Sequence, residues 1–524
     1  MKSFLIRITL ISTIILFSSC SSVDEDLPSE APSPTSADEI ISLTSSAYIP
    51  LSETGAYGDF VSLLMLNELS SDAAVFPVKG GLELFGGQIW QTVHTHTYDN
   101  SDTALFNIIW NKLFEGVAEA NRNLKILNDI RAEENNDLSV IDQFISEMRA
   151  VRAMYYFLLL DTFGNVPIVT EFENEAELQS NNPDFNEGRR EVFEFIESEL
   201  QESLDTISDD VTATYGRMNR FGVHFLLGKL YLNSAVYTGN ERFQDAGSHF
   251  KSISESGDFT LSQDFFTNFS VQNENSQENI FVIPFDSENL RNMNMHIGTL
   301  HPAQQEEFQL SIRPRGHAAA VPSFYRLFSE DDIRRNGFLT GPRFTPDGER
   351  LIDPEYITED CGKDESGPEV VLTTDIRELA PCAGLEEGAR FAKFEIEIGG
   401  GFHASNDFPV FRYADVLLSR AEALYRLGNS GEALTLVNRV RDRAGTEPLS
   451  VLNDENLLAE RGRELYLENW RRQDLIRFPG QKGGETAFND PWDFKETSES
   501  FRNVFPIPQA AIQENPNLNQ NLGY

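Results

Sequence analysis

The chain has 524 residues, 40% of them apolar, enough to bury at least one sizeable core. Its 83 Asp and Glu against 42 Lys and Arg give a formal net charge of −41. That balance argues against nucleic acid, because a phosphate backbone needs Lys and Arg to displace its counterions. It suits a protein kept soluble in a saline or cell-surface setting, and says nothing about the fold.

Residues 1–19 start with Lys2 and Arg7, continue as an apolar run through Phe17 and end in Ser18-Ser19. The run is too short to span a bilayer and has the layout of a secretory signal. Cys20 follows two small residues and resembles a lipobox cysteine, although Phe17 stands where Leu is usual. Acylation there would anchor the protein to a membrane through lipid alone. Residues 20–37 are acidic and then rich in Ser and Pro, a composition that cannot bury enough apolar surface to order itself and reads as a tether.

Residues 38–69 carry a helical pattern broken by Pro50 and Gly55. Residues 70–100 read as a long Gly-rich loop whose aromatics Phe76, Phe85, Trp90 and Tyr98 give it something to bury. Helices are expected at 104–130 and 139–163, the second stopping at Gly164 with Pro167 beyond. Another pair is expected at 187–205 and 216–237. Gly228 and Tyr231 there are three apart, as in a tetratricopeptide first helix, and 246–253 continues the pattern.

Residues 258–410 break this rhythm and read as a loop-rich insertion, with short strands expected at 280–285 and 394–402. Cys361 and Cys382 lie inside it. In an exported chain whose Cys20 is consumed by lipid, the remaining two are best read as one disulfide. The stretch 408–445 has Leu417, Ala421, Leu424 and Tyr425 on one helical face and, after a Gly-Asn-Ser-Gly turn, Ala433, Val437 and Val440 on another. The expected fold is mainly α: a tetratricopeptide-like helical repeat scaffold of about four helix pairs, with long loop-rich insertions and a few short strands, forming one domain over 38–524. Residues 453–478 read as a last helix with Glu460/Arg463, Arg461/Glu464 and Glu468/Arg471 at i, i+3, a salt-bridged helix with a solvated face.

No G-x-S-x-G elbow, H-E-x-x-H or phosphate-binding loop occurs, and with 83 acidic residues sequence spacing cannot single out a glycosidase pair. His94 and His96 would share one side of a strand, but no further ligand follows at suitable spacing, so no metal is expected.

Four blocks carry a family resemblance: 146–169 (SEMRAVRAMYYFLLLDTFGNVPIV), 408–445, 460–478 (ERGRELYLENWRRQDLIRF) and 503–524 (NVFPIPQAAIQENPNLNQNLGY). With the lipoprotein-like start, they resemble in order the SusD/RagB family of nutrient-binding outer-membrane lipoproteins. The acidic run behind Cys20 also resembles an export signal for the cell-surface face. The resemblance implies a protein that captures an oligosaccharide and delivers it to a SusC-like TonB-dependent transporter. It implies no enzyme activity and no cofactor, with assistance by Ca2+ left open. Alternatives are a peptide-binding member of the family, a tetratricopeptide-type protein-interaction scaffold, or a glycoside hydrolase.

Sugar rings stack their C–H faces on aromatics and need hydrogen-bond partners for their hydroxyls. Two irregular stretches offer that mixture by composition and position: one with Lys79, Trp90, His94, His96 and Tyr98, the other with Arg313, Arg315, His317, Phe324 and Tyr325. The two arginines, conspicuous in so acidic a chain, hint at an anionic ligand.

Overall fold

The computed structural model describes residues 36–80, 88–100, 103–133, 138–171, 179–353, 356–358, 361–364 and 367–524. The signal segment, Cys20, nearly all of the tether and Phe85 lie outside the described residues.

Helix α1 (Ala37–Thr44) starts with a capping box in which Ser36 and Glu39 satisfy each other's backbone N–H. The break expected at Pro50 does not occur there, because Pro50 sits in the first turn of a short helix (Ile49–Ser52); the chain leaves the helix after Ser52, turns at Gly55 (φ +103°) and resumes as α2 (Leu63–Leu69). Residues 70–100 are not all loop, as expected from their glycines. They contain α3 (Ile89–Thr95), which buries Ile89, Trp90 and Val93. About two turns beside Gly-rich sequence give too little periodicity to be read.

The scaffold comprises α4 (Thr103–Ala132), α5 (Leu138–Phe163), α6 (Phe185–Ser203), α7 (Arg220–Leu232), α8 (Phe243–Ser254), α9 (Tyr413–Arg426) and α10 (Ser430–Arg443). Helix α4 packs on α5, α5 on α6, α7 on α8, α8 on α9 and α9 on α10. The stack is therefore continuous across the insertion. This is the expected mainly helical, tetratricopeptide-like scaffold. Small residues set the approach of its helices: a Cβ on Gly228 would stand 2.7 Å from the Phe250 ring, and one on Gly116 would stand 2.0 Å from Tyr155. The Tyr155 hydroxyl donates to the Ala47 carbonyl at 2.8 Å, fixing α5 to the N-terminal segment.

The strands used below are β1 (Ala74–Val75), β2 (Asn279–Ile283), β3 (Ala319–Ala320), β4 (Phe338–Leu339), β5 (Arg390–Phe391) and β6 (Phe408–Arg412). They pair antiparallel as β1–β3, β2–β6 and β4–β5. The strand expected at 280–285 is β2, but its partner is β6 and no strand forms at 394–402. There Phe394 is buried while Ile398 is 61% exposed, and Gly399 turns the chain at φ +80°. Alternating apolar residues without a neighbouring edge make no ladder.

The last expected helix is two: α11 (Asp454–Leu465) and α12 (Arg471–Arg477). Between them Leu467 and Asn469 adopt positive φ, and the Asn469 N–H donates to Glu68 Oε1 at 3.0 Å. The solvated face expected of this segment is overturned. Glu460, Arg461, Glu464, Glu468, Arg471, Arg472 and Asp474 are all buried. Glu460–Arg463 does form at 2.7 Å, but Arg461 turns to Asp415 (2.9 Å) and Asp474 (2.8 Å), and Arg471 to Asp72 (2.7 Å). Glu464 receives Arg334 (3.0 Å), Arg412 (2.7 Å) and Arg443. Arg412 also reaches Glu278 and Glu468 (2.7 Å), and Lys393 meets Glu468 at 2.6 Å. Alternating charge has the same sequence signature whether its partners are water or other segments.

One hydrophobic cluster extends from Ile40 to Leu518 and includes insertion residues such as Phe338 and Phe391. The chain's last residues close it: the Asn521 side chain donates to the carbonyls of Phe163 (2.7 Å) and Phe505 (2.8 Å).

Breaking the network should be costly, because removing one partner strands the others as uncompensated buried charges. Glu464→Gln is expected to lower unfolding free energy by about 3–5 kcal/mol in chemical denaturation. The pH dependence follows from the carboxylates. Burial alone would raise the Glu460 carboxyl, but Arg334, Arg463 and Arg441 outweigh it and hold it at about 2. Glu464 is likewise held well below the ordinary range by Arg443, Arg412 and Arg334 against the effect of burial. A depressed carboxylate contributes stability above its unfolded pKa and loses it as pH falls through the folded one. The network's contribution should therefore be constant above about pH 5 and fall progressively toward about pH 2. A denaturation series over that range checks the sign, and Glu464→Gln should flatten the decline.

Candidate functional site

The pairing of Ala74 with Ala320 and of Val75 with Ala319 brings the two stretches chosen from the sequence together. Phe76 stacks on His317, with ring centroids 5.2 Å apart and an interplanar angle of 12°, and packs against Trp90 at 6.0 Å. The expected neighbours meet, but mostly inside the protein.

Lys79 is fully buried and donates to the carbonyls of Glu387 (2.7 Å) and Leu385 (3.4 Å). Burial holds its pKa well below the usual lysine value. Trp90 is 1% exposed. His94 lies in the last turn of α3 and His96 at its left-handed cap, so they do not form the i, i+2 strand pair expected. The ring nitrogens of His94 face the carbonyls of Leu69 (3.2 Å) and Asp493 (2.9 Å), and those of His96 face Ser498 Oγ (2.9 Å) and the Ser70 carbonyl (2.8 Å). Burial lowers both pKa values. Among the described residues no group of three or more His, Cys, Asp or Glu could hold a metal ion.

Tyr98 is buried against Phe106 and Phe505, and its hydroxyl donates to the Arg502 carbonyl at 3.3 Å. Burial, helped by Lys79 and Arg390, pushes the His317 pKa down to about 3. Phe324 packs on Phe328, and Tyr325 Oη accepts from Arg335 Nε at 3.0 Å. Of the ten candidates, Lys79, Trp90, His94, His96, Tyr98, His317, Phe324 and Tyr325 are thus buried and unavailable to a ligand in this conformation. Large aromatics and histidines in a loop served to seal it onto the core. Arg313 and Arg315 remain exposed.

Around these arginines three segments build one surface. Ser311 N–H donates to the Gly400 carbonyl (2.9 Å), His296 Nε2 meets the Gly401 carbonyl (3.0 Å), and Arg315 N–H donates to the Ile297 carbonyl (2.7 Å). Two half-buried aromatic residues lie on these segments: Phe308, whose carbonyl accepts from Gly399 N–H at 2.9 Å, and Phe402, T-shaped to His403 at 5.0 Å. The sequence reading missed Phe308, Phe402, His296 and His403. The Gly399-Gly400-Gly401 run just before Phe402 and His403 was the available signal.

Cys361 and Cys382 are joined, with Cα atoms 5.6 Å apart. The bridge secures residue 361 beside Ala383, which pairs with Lys79. Two other clefts are less suited to an uncharged or acidic sugar. One of about 560 Å3 lies between α4, α5 and α6, but its Arg149 and Arg152 are engaged by Glu199. Another of about 490 Å3 offers the single aromatic Phe266 among Asp264, Thr267, Ser270, Asn336 and Glu395.

The division into buried and exposed candidates is measurable. Trp90→Ala should cost about 3–5 kcal/mol of unfolding free energy, whereas exposed Arg313→Ala should change it by less than about 0.5 kcal/mol. Equal effects of the two in chemical denaturation would contradict the placement of Trp90 in the core.

Comparison with known proteins agrees with this architecture. A model described as the SusD family matches residues 387–524, and one described as starch-binding and associating with the outer membrane matches residues 84–232. The chain is 27% identical over 421 residues to the starch-binding protein SusD of Bacteroides thetaiotaomicron, covering 72% of each. A SusD superfamily protein from Parabacteroides distasonis superposes with a TM-score of 0.74 at 22% identity, over 94% of this chain and 100% of that one. Surface glycan-binding protein A from Bacteroides uniformis superposes with a TM-score of 0.69 at 20% identity, over 93% and 99%. Two family models thus match toward the two ends of the chain, and the chain is similar to SusD over 72% of its length and shares the fold of SusD superfamily structures.

Proposed function

We propose that this protein is a lipid-anchored binding protein at the cell-surface face of the outer membrane. It captures an oligosaccharide and passes it to a SusC-like TonB-dependent transporter, without a catalytic step. The observation that carries the reading is that segments carrying half-buried Phe308 and Phe402 are bonded to one another through Ser311, Gly399, Gly400 and His296, which brings aromatic and polar residues onto adjoining stretches of chain. Flat apolar faces among convergent polar groups match the two sides of a sugar ring. The starch-binding relative and the glycan-binding structural neighbour support the ligand class. The family's description supports outer-membrane association. Hand-over to the transporter rests on the family resemblance and on a repeat scaffold with surface left for a protein partner.

A glycan array probed with the full-length chain in detergent should yield oligosaccharide hits, and each bound oligosaccharide should be recovered intact after prolonged incubation. Cleavage beyond stoichiometric amounts by a contaminant-free sample would favour the glycoside hydrolase alternative. Preference for peptides over every sugar would favour the peptide-binding one.

Anchoring is tested separately. Cys20→Ala should abolish acyl labelling and release the protein from membranes. Retention of the variant in the membrane fraction, with no lipid found on the natural chain, would refute it.

A further inference from the structure

Helices α7 and α8 bring together two histidines that are 25 residues apart in sequence. His224 lies in the second turn of α7 and His249 in the second half of α8, and both are half-buried. Their Nδ1 atoms are 2.9 Å apart and their ring centroids 5.1 Å. The residues that follow each of them set that spacing. Phe225 and Phe250 are fully buried and T-shaped to each other at 6.1 Å, and Phe250 also seats on Gly228, where a side chain would block the approach. Core packing thus holds the two imidazoles together.

One proton serves both Nδ1 atoms in this pair, because a neutral imidazole donates from one nitrogen and accepts at the other. Among the described residues neither ring makes a second hydrogen bond. Burial, helped by His249 and Arg220, takes the His224 pKa down to about 4. Burial also lowers that of His249, with Arg242 assisting and Asp245 and Glu197 opposing. Both rings are therefore neutral at physiological pH, the state in which imidazole ligates a transition metal. Asp245, one turn before His249, and Glu197 on α6 add negative potential, on a chain of net charge −41.

We propose that His224 and His249 form a binding site for a late divalent transition metal, Cu2+ before Ni2+ or Zn2+, with one Nδ1 ligand from each helix. Nitrogens 2.9 Å apart, each about 2.0–2.1 Å from an ion, subtend about 90° at it. That is the cis angle of a square-planar site, which Cu2+ and Ni2+ favour, whereas tetrahedral Zn2+ would need the nitrogens about 3.3–3.4 Å apart. The ion sits beside the line joining them, so each ring turns about χ2, a broad torsion for histidine. The shared proton leaves Nδ1 and the donor ring takes one from water at Nε2, so two neutral imidazoles ligate and no net proton is released. Water completes the square. The site draws on no residue of the glycan surface and is independent of that reading.

Copper titration of the untagged, metal-stripped full-length chain in detergent tests this, read by calorimetry and by electron paramagnetic resonance. One Cu2+ per chain should bind with micromolar affinity or tighter and give a tetragonal spectrum with two coordinated imidazole nitrogens. It should also raise the unfolding midpoint, because an ion held only by the folded chain stabilises it. His224→Asn and His249→Asn should each weaken copper binding about tenfold or more, since the remaining imidazole loses its chelating partner, and should abolish the rise in midpoint; circular dichroism checks that each variant folds. No binding at micromolar copper, wild-type affinity in either variant, or a wild-type spectrum with fewer than two imidazole nitrogens would overturn the inference. The wild-type spectrum decides it even where a variant fails to fold.

Discussion

Glu464 is the point at which the separate parts of this structure are tied. Its carboxylate receives Arg334 from the insertion, Arg412 from the end of β6 and Arg443 from α10, so one side chain on α11 fixes three segments remote in sequence. Taking such charges out of water costs several kcal/mol per ion, and the attraction offsets that only when the remaining donors and acceptors are used. Here they are used. Arg412 alone makes bonds to Glu468, Glu278, Glu464 and the Glu464 carbonyl. A second cluster behaves alike: Arg461 holds Asp415 and Asp474, and Arg477 holds Glu422 and Asp474, which locks α9, α11 and α12 together. Because apolar residues could fill the same volume at similar stability, we read the contribution of these ions as registration. Each insertion segment has one position at which its charges are all matched.

That registration reaches the candidate site through a short covalent path. Lys393 donates to Glu468 and to the carbonyls of Glu464 and Tyr466, which anchors the chain just past β5 to α11. Three residues earlier, Arg390 grips the carbonyls of Gly316 and Ala318. The neighbouring Phe391 N–H donates to Thr299 Oγ1 at 3.0 Å. The surface carrying Arg313 and Arg315 is thus supported on strand β5, and β5 on the ion network. Loops that bind ligands are usually the mobile parts of a protein. The candidate surface is instead set by bonds that lead to fully buried charges.

How much of this could be read beforehand divides along physical lines. The α9–α10 unit was legible because small and apolar residues recur at helical spacing on both sides of a four-residue turn, and Ala421, Ala433, Val437 and Val440 are indeed fully buried. The end of α5 was legible because Gly164 takes positive φ, as a helix stop there requires. The burial of α11 and α12 was not, because periodicity reports which residues share a face and not what that face meets. Arg461 has Glu464 three residues on, yet bonds residues on α9 and α12 instead. The exposed candidate surface was half legible: the stretch containing Arg313 and Arg315 could be chosen by composition, but the same rule also selected the buried Trp90 and Tyr98. An aromatic in a loop carries no mark of whether it faces a sugar or Phe76.

Charge acts on this protein at two scales that oppose each other for an acidic ligand. At a distance, the net charge of −41 repels an anion. Screening limits that repulsion to about 8 Å at physiological ionic strength and about 3 Å at 1 M. Close in, a bidentate guanidinium contact depends on geometry as much as on field, and is less weakened by salt than a diffuse potential. Adding salt should therefore first speed the approach of any anionic ligand, by removing the repulsion. This is the reverse of ordinary electrostatic steering, in which association falls steeply with ionic strength. An acidic surface is thus matched to saline surroundings, where the far field is screened and local contacts decide what is held.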